Sequence, residues 1–231
     1  WLDQSGYGNH GIQLVSTNRP AAIGGLANGR PAIRFDGTND QFRIRTNILA
    51  VASQLEGFVV VKVDADPPVA NRGLWLMGRS GSGTVKYPAP DGTVVDDFGS
   101  TLARNIGNPI PALNQYHLYN VSSAPGSWLA RINGGVLFTT NVNTMGMWDW
   151  AALGVAVNAS YFFSGEIAEV MIFSRQMTLG ELGAINLYLN DKYGFITDQN
   201  ASVQLTARTL SGTQIALSWQ QSGAALASSF V

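Results

Sequence analysis

The chain has no cysteine among its 231 residues. That excludes a disulfide framework, a thiolate metal site and a thiol nucleophile. Charge is sparse as well. Charged residues make up 13 % of the chain, about half of the ~25 % of an ordinary soluble domain, and the net charge is −1. Lys and Arg are scattered, so the basic patch that a nucleic-acid partner requires is missing. No apolar run approaches the ~20 residues that cross a bilayer as a helix, which argues against membrane insertion.

Catalytic patterns are missing too. No G-x-S-x-G elbow occurs, and the two histidines, His10 and His117, stand far apart in sequence. A zinc centre needs three or four ligands, and two isolated histidines fall short. Both therefore read as structural or surface residues. Hydrolysis of a glycoside needs two flanking carboxylates. Glu166 and Glu169 are the nearest candidates, but their spacing of three puts them on opposite faces of a straight strand. Glu169 reads instead as ordering a loop or pairing with Arg175.

What is present is apolar residue and glycine, at 45 % and 26 residues. A chain of this length and apolar content can build a large core without staples. Turn signals such as Asn28-Gly29, Asp36-Gly37, Asp91-Gly92 and Asn133-Gly134 recur between short apolar or alternating runs. Pro31–Phe35, Gln41–Arg45, Gly57–Val63, Leu74–Gly78, Tyr116–Val121, Ser127–Ile132, Val136–Thr139, Ala151–Val157 and Glu166–Phe173 read as strands. Many short strands at this spacing predict an all-β sandwich. The continuous run Phe58–Val63 belongs in the middle of a sheet. Asn133-Gly134 supplies the positive φ angles of a tight hairpin.

One helix is expected. Thr178 and Glu181 form a capping box, Leu179, Leu182, Ile185, Tyr188 and Leu189 form an apolar stripe, and Gly194 closes the last turn. The helix is expected to cover an edge or end of the sandwich. Residues 196–201 read as a linker. Residues 202–231 hold two more alternating runs, too short for a core of their own, and read as the start of a second β module.

Four segments carry a resemblance. Trp1-Leu2-Asp3-Gln4-Ser5-Gly6-Tyr7-Gly8-Asn9-His10, Asn28-Gly29-Arg30-Pro31-Ala32-Ile33-Arg34-Phe35-Asp36-Gly37-Thr38-Asn39-Asp40, Phe163–Phe173, and Tyr188-Leu189 through Lys192-Tyr193-Gly194 stand in order along residues 1–195. Together they resemble the laminin-G-like, concanavalin A-like domains of bacterial and viral surface proteins. The resemblance implies a two-sheet antiparallel jelly-roll sandwich with one short C-terminal helix. It also implies that the domain here lacks the first strand that usually precedes the opening Trp. Residues 203–219 more weakly resemble the first strands of a fibronectin type III domain.

The family implies a location outside the cell, on a cell or virion surface, and a role in binding or adhesion. The expected partner is a glycan or a surface protein. The alternatives are a structural domain that self-assembles into a fibre or layer, and a polysaccharide-active enzyme of the same fold. For glycan binding the candidates are Trp148, Asp149 and Trp150, whose alternation puts both indoles on one side of an extended segment, with Tyr87 and Asn143 as weaker ones; the alternative is that these tryptophans fill the core or an end of the sandwich. Sugar faces are apolar and their hydroxyls need directional partners, so aromatic platforms with amide or carboxylate neighbours suit them. Asp36, Asn39 and Asp40 crowd oxygen side chains into one turn and are the candidate calcium site. The alternative for that turn is an Asx turn held by backbone amides. Asp91, Asp96 and Asp97 form a second acidic stretch, read as a solvated loop or a calcium site.

Overall fold

The computed structural model describes residues 1–44, 52–81, 84–148, 150–156 and 161–194 in full, and the backbone of 202–211 and 214–222. The chain divides into two units, Trp1–Phe195 and Ile196–Val231.

The first unit is an antiparallel β-sandwich with one helix. Its strands, in chain order, are β1 (Gly11–Ile12), β2 (Ala21–Ala27), β3 (Arg30–Asp36), β4 (Phe42–Ile44), β5 (Leu55–Val63), β6 (Trp75–Leu76), β7 (Val94–Asp96), β8 (Arg104–Gly107), β9 (His117–Ala124), β10 (Ser127–Ile132), β11 (Gly135–Thr140), β12 (Ala151–Leu153) and β13 (Ser164–Phe173). The larger sheet has the order β11-β10-β9-β5-β13-β3-β2, and the smaller one β1-β4-β12-β6. A ribbon of β7 and β8 stands apart from both. The short strands β1, β7 and β8, and the glycine-broken β2, carry too few alternating residues to be read from the sequence.

Alternation sets the two faces of the larger sheet. On β5, Val59, Val61 and Val63 enter the core cluster that also holds Phe42, Trp75, Ala151 and Leu153 of the smaller sheet. Phe58 and Val60 point the other way and enter a second cluster with Leu182, Leu189 and Tyr193 of helix α1 (Leu179–Tyr193). β5 is therefore covered on both sides, which is why its sequence is continuously apolar. Each fully buried side chain of this size contributes about 2 kcal/mol.

The helix lies on the outer face of the larger sheet, over Phe58, Val60 and Leu118 at its centre, and not at an edge or end. Its capping box is formed: the Glu181 amide donates to Thr178 Oγ1, and the Thr178 amide donates to Glu181 Oε2. Gly194 closes it at φ 68°. Only part of the expected stripe faces the sheet. Leu182, Ile185 and Leu189 pack on it, whereas Leu179 is 86 % exposed and Tyr188 48 %. Leu179 is the first helical residue. The Asn28-Gly29 turn between β2 and β3 serves the other end, with Asn28 Nδ2 and Arg30 Nε both donating to the Lys192 carbonyl.

The acidic stretch of β7 is the largest departure from expectation. Asp91 is exposed, and its Oδ1 accepts from the Thr93 amide. Asp96 and Asp97 are buried, not solvated. Asp96 sits among aromatic rings and accepts from Trp75 Nε1, the Tyr119 hydroxyl and the amides of Asp97 and Phe98. Asp97 accepts from the amide and hydroxyl of Ser80. Burial pushes both carboxyls up, that of Asp96 to about 6.

In the second unit, β14 (Ser202–Ser211) and β15 (Gln214–Ser222) form an antiparallel hairpin.

Candidate functional site

The Gly- and Asx-rich loops at Trp1–His10 and Asp36–Asp40 are held by their own side-chain hydrogen bonds. In the opening segment, Asp3 accepts from the amides of Ser5 and Asn9, each at 2.8 Å, and its own amide donates to His10 Nδ1. The hydrogen bonds from Ser5, then that from Asn9, bring the Asp3 carboxyl down to about 2. His10 is thus a loop-ordering residue. His117 is buried: its Nδ1–H donates to the Gln115 carbonyl, so Nε2 accepts from the Tyr87 hydroxyl at 2.7 Å. Burial pulls the imidazole down to about 4 and keeps it neutral.

The Asp36–Asp40 turn has the geometry of an Asx turn. Asp36 Oδ1 accepts from the amides of Thr38, Asn39 and Asp40, and Asp40 Oδ2 accepts from the Asp36 amide. Burial acts to raise the Asp36 carboxyl, but the amides outweigh it and hold it below its usual range. Burial raises Asp40. Asn39 contributes its amide to this lattice. Asp36 Oδ1 and Asp40 Oδ2 are thus taken up by backbone N–H groups, whereas Asn39 Oδ1 is buried with no hydrogen-bond partner among the described residues. Among the described residues no cluster of three or more acidic or histidine side chains converges on one point.

The two glutamates of β13 correct the spacing argument. A bulge at Ala168 shifts the register, so that Glu166 pairs with Lys62 and Glu169 with Val60 on β5. Lys62 and Val60 are two apart and share a face, so both carboxylates lie on the helix side of the sheet. They are nonetheless pinned. Glu166 accepts from the Tyr116 hydroxyl and faces Lys62 and Arg34 at 3.7 and 3.8 Å. Glu169 accepts from Lys192 Nζ and the Tyr193 hydroxyl, each at 2.8 Å. The expected pairing of Glu169 with Arg175 does not form; Arg175 pairs with Glu181 at the helix cap instead.

Two of the aromatic and amide candidates are corrected as well. Tyr87 is 2 % exposed and belongs to the inter-sheet core, 4.9 Å from the Tyr119 ring. Asn143 is 6 % exposed and ties loops together, donating to the Ala124 carbonyl and Ser123 Oγ and accepting from Ser100 Oγ. Neither meets solvent. Sequence alone cannot separate a buried tyrosine with a satisfied hydroxyl from an exposed platform.

Trp148 and Trp150 are placed differently. Asp149 lies outside the described residues. Ala151 and Leu153 of β12 face the inter-sheet core, while Ala152 joins Leu76 and Val155 in a small cluster on the opposite, outer face of the smaller sheet. Trp148 packs against that outer cluster. Trp150 precedes Ala152 by two and is 38 % exposed. Their ring centroids are 6.4 Å apart at an interplanar angle of 39°. Arg43, directly opposite Ala152 across the β4–β12 pairing, lays its guanidinium 4.9 Å from the Trp150 ring centroid. Arg79 lies 5.6 Å over Trp148. The Trp148 indole N–H is buried and has no acceptor among the described residues. The outer face of the smaller sheet thus carries an aromatic pair with one cation over each ring. The two arginines carry no motif that a sequence would reveal, because they come from β4 and from the segment after β6.

A second concavity lies elsewhere. A cleft of ≈ 460 Å³ is bounded by Trp1 and Asp3 on one side and by Glu169, Val170, Ile172 and Tyr193 on the other. It runs along the stretch of β13 beyond Ile167, where among the described residues β5 is the only strand partner.

No protein-family model matches the chain, and no curated protein matches it in sequence. Solved structures do match in shape. The receptor-binding domain of botulinum neurotoxin mosaic serotype C/D is 12 % identical with a TM-score of 0.60, over 94 % of this chain and 58 % of that one. Domain 4 of the extracellular arabinanase of Geobacillus stearothermophilus, solved with arabinotriose, is 17 % identical with a TM-score of 0.52, over 72 % and 81 %. The sialidase of Trypanosoma rangeli is 14 % identical with a TM-score of 0.54, over 69 % of this chain and 27 % of that one. The chain therefore spans about a quarter of the sialidase. At these identities the likeness carries the β-sandwich fold alone.

Proposed function

We propose that residues 1–195 form a laminin-G-like module that binds a glycan on the outer face of its smaller sheet and performs no chemistry on it. The observation that carries this reading is the Trp148–Trp150 pair. Two neighbouring indoles, one of them open to solvent just ahead of β12, offer apolar area to the faces of sugar rings. The tryptophans within the two sheets, Trp75 and Trp128, are instead sealed in the core. The arabinanase domain solved with arabinotriose and the toxin receptor-binding domain share the sandwich, which lends the reading support.

A binding role rather than hydrolysis is favoured by the state of Glu166 and Glu169. Each is held by a lysine and a tyrosine hydroxyl, which leaves neither positioned to protonate a leaving group or to activate water. Calcium is not required in this reading, because the face that carries the indoles holds no described carboxylate and Asp36 Oδ1 and Asp40 Oδ2 serve the turn. The module would act outside the cell, on a cell or virion surface, with a glycan or glycosylated surface protein as partner.

A glycan array, run with and without a calcium chelator, tests the proposal. Binding is expected in both conditions. Trp150→Ala should weaken it about 30-fold, the effect of losing one aromatic anchor at the centre of a contact. Silence of the unaltered protein in both conditions would sink the reading.

A further inference from the structure

The two cations over the indoles say more about the ligand than the indoles do. Every other arginine whose side chain is described has a hydrogen-bond acceptor on the protein. Arg34 pairs with Asp64, Arg131 with Glu56 and Arg175 with Glu181. Arg19, Arg30, Arg72 and Arg104 donate to backbone carbonyls. Arg43 and Arg79 are the exceptions among the described residues: both are exposed, and each has an indole ring for its partner and no carboxylate or carbonyl.

This is an unusual disposition in a chain with so few charges. A guanidinium lying over a ring is held in place by its face, while its N–H donors point outward from its edge. Among the described residues neither guanidinium has an acceptor for those donors. Both flank one aromatic pair, on a protein whose net charge is only −1. The cross-strand pairing of Arg43 with Ala152 sets Arg43 beside the start of β12, next to Trp150, while Arg79 and Trp148 come from the segments that flank β6 and β12.

We infer that the Trp148–Trp150 face selects a sugar bearing a carboxylate, with the ring of the sugar against the indoles and its carboxylate on the N–H edges of Arg43 and Arg79. A planar carboxylate matches the guanidinium fork in a bidentate fashion that a hydroxyl does not. The inference rests on the glycan-binding reading and narrows it. The carboxylate can belong to a uronic acid within a polysaccharide or to a terminal sialic acid, and the same fork recognises both.

The test uses matched pairs of probes on the 231-residue protein. Tetragalacturonate is compared with neutral galactotetraose, and 3′-sialyllactose with lactose, by calorimetry at low and at physiological salt. At least one acidic member should bind about ten-fold or more tightly than its neutral match, the size of one charge-assisted contact. The pair that shows the preference identifies the source of the carboxylate. The preference should shrink as salt is raised. In an Arg43→Gln, Arg79→Gln double variant the acidic and neutral affinities should converge. Both side chains are exposed, and a circular-dichroism melt checks that the variant is folded. Equal affinity for acidic and neutral members in the unaltered protein overturns this inference and leaves glycan binding standing. A preference that survives in the double variant also overturns it, since the carboxylate would then be read elsewhere. Failure of all four probes together with a silent glycan array overturns both.

Discussion

Asp96 and His117 should oppose one another across mildly acidic pH. Both are buried in the same core and both are displaced from their ordinary range by burial first, but in opposite senses. The Asp96 carboxyl rises from 3.8 to about 6, and the His117 imidazole falls from 6.5 to about 4. Between pH 6 and 4 the folded chain takes up a proton at Asp96 that the unfolded chain does not, so acid stabilises the fold there. Between pH 6.5 and 4 the unfolded chain takes up a proton at His117 that the folded chain refuses, so acid destabilises it. At ~1.4 kcal/mol per pH unit each effect amounts to about 3 kcal/mol. In the unaltered protein they nearly cancel.

Single substitutions should expose the two slopes. Asp96→Asn keeps an acceptor for Trp75 Nε1, and the Tyr119 hydroxyl can turn to accept from the new amide. What it removes is the titration. Its unfolding free energy should then rise from pH 4 to 6.5 by up to about 3 kcal/mol, the His117 contribution less the opposing one of Asp97. His117→Gln keeps an acceptor for the Tyr87 hydroxyl and should show the reverse, a fall of similar size over the same window. Asp97, also raised by burial, acts in the sense of Asp96 and is common to both variants. Urea unfolding at half-unit steps of pH measures all three proteins, and only the slopes matter, since each variant also loses some stability outright. Curves for Asp96→Asn and the unaltered protein that run parallel would refute the reasoning.

Gly78→Ala should be severe, because a Cβ there would lie 1.8 Å from the Asp97 carbonyl oxygen; a loss of about 3 kcal/mol and a Tm lower by about 10 °C are expected in a thermal melt. Thr178→Ala removes one half of the capping box and should cost about 1 kcal/mol, seen as a fall of about 3 °C in the same melt. Adding calcium or a chelator should leave the Tm of the unaltered protein unchanged; a rise of several degrees with calcium would show that the Asp36–Asp40 turn opens its oxygens to the ion.

The sequence made the class of fold legible wherever period and punctuation agreed. The apolar run of β5 demanded cover on both faces, and it has the second sheet on one side and α1 on the other. Thr178, Glu181 and Gly194 marked the helix ends because caps are local chemistry. The placement of α1 was not legible, since an edge and a face both accept an apolar stripe. Nor was the burial of Asp96 and Asp97. A carboxylate reads as surface unless the tryptophan and tyrosine that satisfy it are known, and Trp75 and Tyr119 lie 21 and 23 residues away in the chain.

The bulge at Ala168 shows how one residue can defeat a sound rule. Counting by two from Glu166 places Glu169 on the core side, where an unpaired carboxylate would be intolerable. The extra residue rotates the strand by one position, so that Val170 and Ile172 fill the core while Glu169 reaches Lys192 and Tyr193 on the helix. The pattern Ile167-Ala168-Glu169-Val170 carries this demand within it. Ile167, Val170 and Ile172 cannot all be core residues at strict alternation, and a small residue between them is where the slip costs least. The same logic separates the two aromatic candidates. Tyr87 comes from a segment whose hydroxyl meets a buried His117, whereas Trp148 packs on the outer cluster of Leu76, Ala152 and Val155, with the Trp150 ring beside it. In a sandwich the residues that face the core are set by the strand, and those left on the other face are free to bind. The arginines over the indoles are the sign that this face has been fitted to a charged ligand.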